Sequence, residues 1–119
     1  AMRIYPTELK LHQASRILEV AFGNDARFQL PCEYLRVFSP SAEVRGHGPG
    51  SGVLVTGKET VNITAIEPIG NYAVKLVFDD GHSSGLYSWD VLHELSVNQN
   101  THWQDYLRRL AEVGYQRHI

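Results

Sequence analysis

The side chains able to do chemistry in this 119-residue chain are six histidines, a single cysteine at Cys32 and thirteen carboxylates. The densest group is the run FDDGHSS, where His82 follows Asp79, Asp80 and Gly81 and precedes Ser83 and Ser84. Imidazole with carboxylates could hold a divalent cation, or His82 could serve as a general base. Acidic residues before a glycine are equally what a tight turn selects. Ser83 and Ser84 are poor nucleophile candidates, because adjacent strand residues point to opposite faces and cannot pair with the neighbouring histidine. His47 lies between Gly46 and Gly48, an exposed and adaptable setting.

Several chemistries fail on spacing. A two-histidine, one-carboxylate iron site presents His-x-Asp or His-x-Glu. The residues two beyond the histidines are Ala14, Pro49, Ser84, Leu95 and Gln104, and His118 has only Ile119 behind it. One cysteine supplies no C-x-x-C zinc pair and no internal disulfide. GHGPGSG suggests a phosphate cradle, but no Gly-Lys-Ser or Gly-Lys-Thr follows to open a helix.

The elements that must position these residues follow from periodicity. Alternation in Leu9 to His12 and in RILEVAF predicts two short strands. GND at 23–25 reads as a turn before Phe28 and Leu30, and Pro31 starts a short helix carrying Tyr34, Leu35 and Phe38. Ser39 to Gly52, with its glycines and prolines, reads as a long loop. VLVTG, VNITAIEPIG and YAVKLVFDDG read as strands, with Val61, Ile63 and Ala65 on one face and Tyr72, Val74, Leu76 and Phe78 on one face of the next. Asp80-Gly81 then supplies positive-φ residues for a hairpin, placing His82 at its corner. Ser88 caps a helix bearing Trp89, Leu92 and Leu95. A last helix is expected from Thr101, with Thr101 and Gln104 as a capping box and Gly114 as its stop.

A chain of this length, 43% hydrophobic and 20% charged, suits one domain over residues 1–119. The expected class is α+β: small, mostly antiparallel sheets with three short helices. A net charge of −2 argues against nucleic acid as partner. No apolar run approaches the ~20 residues that cross a bilayer. The expectation is a soluble, cytoplasmic chain that does not work at a membrane.

Three stretches carry a family resemblance: EYLRVFSPSAEVRGHGPG at 33–50, IGNYAVKLVFDDGHSSGLYSWDVLHEL at 69–95 and WQDYLRRL at 103–110. Together they resemble the gamma-butyrobetaine hydroxylase-like N-terminal domain in a short, free-standing form. In full-length oxygenases of that kind the domain precedes a catalytic jelly-roll and holds a structural zinc through a C-P-C-x-x-C cluster and a D-x-H histidine. The resemblance places that histidine at His82 and the cysteine positions at Ser39, Ser41 and Val44, so three of the four ligands are missing. The iron and 2-oxoglutarate residues belong to the catalytic domain. Similar domains also occur joined to P-loop ATPases that carry iron-sulfur clusters, which implies a protein partner of that kind.

The sequence thus favours a non-catalytic binding or adaptor module, and the resemblance implies a role accessory to iron-sulfur cluster assembly. Its expected interaction surface comprises Arg45, His47, Asp79 and His82. The competing expectation is a metal protein in which His82, His47 and Asp80 hold iron or zinc.

Overall fold

The structure is a computed structural model that describes residues 5–23, 25–40 and 54–117. Leu18, Val20 and Phe22 alternate toward the interior along β2 (Ile17–Phe22), and each is essentially fully buried. Their burial draws two partners alongside: β1 (Pro6–His12) and β3 (Arg27–Pro31), both antiparallel, in the order β1-β2-β3. The opposite face is polar, where Arg27 bridges Glu8 and Glu19 and His12 bonds Glu19 at 3.0 Å. Phe28 and Leu30, expected to follow a turn, belong to β3. Only five residues long and closed by a proline, this strand is fixed by its pairing with β2 and not by its own pattern.

Pro31 ends β3 and caps α1 (Cys32–Val37), whose Cys32, Tyr34 and Leu35 are wholly buried. The expected short helix is therefore present, with Pro31 just outside it. A second sheet, β4-β5-β6, consists of β4 (Ile63–Ile69), β5 (Ala73–Phe78) and β6 (Leu86–Ser88), again antiparallel. Val74, Leu76 and Phe78 face the core as expected, but Tyr72 precedes the strand and is exposed. Ile63 pairs with Phe78 and Ala65 with Val77, so a bulge intervenes. The extra residue turns Ala65 away from the face that holds Ile63, contrary to the simple alternation. The expected VLVTG strand is absent at Leu54 and Val55, which instead pack as partly buried residues against Tyr106 and Leu110.

Ser88 accepts from the Val91 amide at 3.2 Å and starts α2 (Trp89–Val97), with Leu92 and Leu95 buried. Helix α3 (Gln99–Glu112) is capped by Asn98, three residues before the expected Thr101, and the Asn98 side chain makes no capping bond. It stops at Gly114, whose φ of 77° suits a residue without Cβ. The two sheets and α1 and α2 share one apolar core, and α3 closes a smaller cluster around Val37, Tyr106 and Leu110. The architecture is α+β. Among the described residues no helix is long and apolar enough to cross a membrane.

Candidate functional site

Beyond Phe78 the chain must reverse, and the backbone closes the turn with two bonds: Gly81 N to Phe78 O at 3.1 Å and Phe78 N to His82 O at 2.9 Å. Gly81 alone supplies the positive φ, at 91°, so Asp80 does not share that role. Asp80 stabilises the reversal differently, accepting the His82 amide on Oδ1 at 3.0 Å. The return strand pairs with β5 only from Leu86 onward. His82 therefore stands at a corner, as its sequence setting predicts, but its ring turns inward and the residue is only 8% exposed.

There His82 Nε2 meets Ser39 Oγ at 3.0 Å, and Ser39 is itself wholly buried at the end of α1. Gly85 packs so closely on Ser39 that a Cβ would overlap the hydroxyl. Asp80 Oδ2 receives Arg36 Nε at 2.8 Å from the last turn of α1 and Lys58 Nζ at 2.6 Å. Partial burial would raise the Asp80 pKa, but Lys58, the His82 amide and Arg36 outweigh it and hold it at about 2, against an ordinary 3.8. Asp79 works on the other side, its amide donating to Asn62 O at 2.9 Å and its Oδ1 accepting Asn62 N at 3.1 Å.

The corner thus grips both chain ends that flank residues 41–53. Ser39 and Arg36 lie just before that segment, and Lys58 lies just after it. A further bond on the exit side runs from Tyr106 Oη to Val55 O at 2.6 Å. Of the sequence candidates, Asp79, Asp80 and His82 come together here. Arg45 and His47 lie outside the described residues, as does most of the expected loop.

The donors at the corner do not fit the zinc that the resemblance implies. Two of its four ligand positions, 39 and 82, do converge, but one is a serine hydroxyl hydrogen-bonded to the imidazole in place of a thiolate. Asp80 is engaged by two cations. Burial pushes the Cys32 thiol pKa up, keeping it protonated, and its Sγ lies 3.7 Å from Asn62 Oδ1. Among the described residues, no group of three or more His, Cys, Asp and Glu side chains could hold an ion.

Reasoning from sequence missed Arg36, Lys58 and Asn62 as members of this corner. Asn62 ties four segments, donating from Nδ2 to Gln13 O at 3.0 Å and accepting the Ile63 amide on Oδ1 at 2.9 Å, besides its contacts with Cys32 and Asp79. No spacing rule joins Arg36 to Asp80 across forty-four positions. Ser39 did carry a signal, since the resemblance already set it beside His82.

A small α+β domain with a cross-linked hairpin corner, and with no group of three or more His, Cys, Asp and Glu able to hold a metal ion among its described residues, is the class defined so far. The family model for gamma-butyrobetaine hydroxylase-like, N-terminal domains matches residues 9–93, and the chain belongs to that family. It is similar to two proteins with NMR solution structures, at 56% and 50% identity, each covering 98% of this chain with a TM-score of 0.83. Those matches span 87% and 91% of the respective proteins. It is also similar, at 37% identity and a TM-score of 0.63 over 76% of this chain and 90% of the other, to a crystal structure of a protein of unknown function from Acidithiobacillus ferrooxidans, a member of the DUF971 family. Among proteins with curated descriptions none matches.

Proposed function

We propose that the chain is a non-catalytic binding module that presents residues 41–53 and the adjoining corner to a protein partner. The observation that supports this reading is the use of the corner's ionisable groups. Asp80 binds Arg36 and Lys58, and His82 binds Ser39, so the groups that could have formed a reactive centre instead hold both ends of the glycine-rich segment. A segment fixed at its ends loses less conformational entropy on binding than one hung from mobile ends. Arg45, His47 and Asp79 are the proposed contact residues, and His82 holds the corner through Ser39.

The proposed partner is a P-loop ATPase carrying an iron-sulfur cluster, the kind to which similar domains are joined, and the role is accessory to cluster assembly. Isothermal titration of such an ATPase with this protein is the test. Saturable binding that weakens at least about tenfold in the double variant Arg45→Ala/His47→Ala, with the fold unchanged, is the expected result. No heat of binding, or binding indifferent to both substitutions, overturns it.

A further inference from the structure

On α1, three residues before Arg36, Glu33 has a side chain only 8% exposed. A carboxylate so buried is costly unless a cation with matching hydrogen bonds meets it. Arg117 does so in fork geometry, Nε donating to Oε2 at 3.0 Å and Nη2 to Oε1. The same guanidinium lies over the indole of Trp103, 5.1 Å from the ring centroid. Carboxylate at the edge and indole on the face together select a planar, delocalised cation over a compact ammonium.

The cation comes from the short tail beyond Gly114, where α3 has already ended. That tail is also tied by Tyr115 Oη donating to Glu59 at 2.8 Å. Trp103 further lines a cavity of about 250 Å³ with Pro31, Tyr34, Gln99 and Asn100, large enough for one side chain. We propose that Glu33 and Trp103 form an arginine-recognition slot, with Arg117 as its resident intramolecular ligand, and that an arginine of a partner protein takes the slot when the tail lifts. The tail then acts as a competitor that sets the threshold for docking. The slot shares helix α1 with the hairpin corner but none of the corner's residues, and it does not depend on the reading proposed for that corner.

The test is chemical rescue in the full chain carrying Arg117→Ala, with N-acetyl-arginine methylamide as probe and the Trp103 indole N–H resonance as readout. Saturable shifts with half-saturation on the order of millimolar are expected, as befits one side chain binding without a tether. The wild type should need at least about tenfold more probe, because its slot is filled. The lysine analogue should bind at least about tenfold more weakly, and Glu33→Gln/Arg117→Ala should abolish the response. Absence of saturable binding, equal response to lysine, equal affinity in the wild type, or persistence without Glu33 each overturns the proposal. If Arg117→Ala does not fold alone, the arginine probe should restore dispersed resonances and the lysine probe should not; failure of that rescue overturns it too.

Discussion

Replacing Asp80 by Asn removes one charge while leaving an amide oxygen able to accept the His82 N–H, so it isolates the ion pairs with Arg36 and Lys58. A carboxyl pKa held at about 2 instead of 3.8 corresponds to about 2.5 kcal/mol of stability at neutral pH. The side chain is 20% exposed and the turn faces solvent, so screening brings the expected loss in Asp80→Asn to about 1–2 kcal/mol. Because the folded pKa is lowered, the contribution is complete above the unfolded value and disappears as pH falls from near 3.8 through about 2. Urea denaturation of wild type and variant at pH 7, and then at steps down to pH 2, reads this directly. The two stability curves should differ at neutral pH and converge in acid. A difference that persists undiminished at pH 2, or is absent at pH 7, refutes the electrostatic account of the corner.

Ser39→Ala removes the hydroxyl that meets His82 Nε2 in a buried setting and should cost about 1–3 kcal/mol by thermal or chemical denaturation. Gly85→Ala places a methyl against Ser39 Oγ and should lower stability by a similar amount, with the largest NMR shift changes at Ser39 and His82. Tyr34→Phe deletes the bond from the buried phenol to Leu95 O at 2.7 Å and should cost about 1 kcal/mol without changing the sheet resonances.

Strong local patterns made much of the fold legible in the sequence. Leu18, Val20 and Phe22 announced a strand, Ser88 announced a helix start, and Gly114 announced a stop. The misses have identifiable causes. β3 is a short segment stabilised by its neighbour, Leu54 and Val55 have β-branched and aliphatic character but are drawn to the Tyr106 cluster, and the bulge between Ile63 and Ala65 breaks an alternation that the residues alone would sustain. At the corner, Gly81 made the turn readable, and with it the place of His82. The partners of Asp80 were not readable, because Arg36 and Lys58 reach it through tertiary packing from segments whose sequence spacing carries no period.

Amide hydrogen exchange measured residue by residue in wild type and Asp80→Asn is the most direct measurement of whether one corner holds both ends of residues 41–53. The expected result is faster exchange at Ser39, whose amide donates to Arg36 O, and at Val61, whose amide donates to Lys58 O, with the centre of β2 unchanged. Acceleration confined to His82, or to one side of the segment alone, would contradict the account.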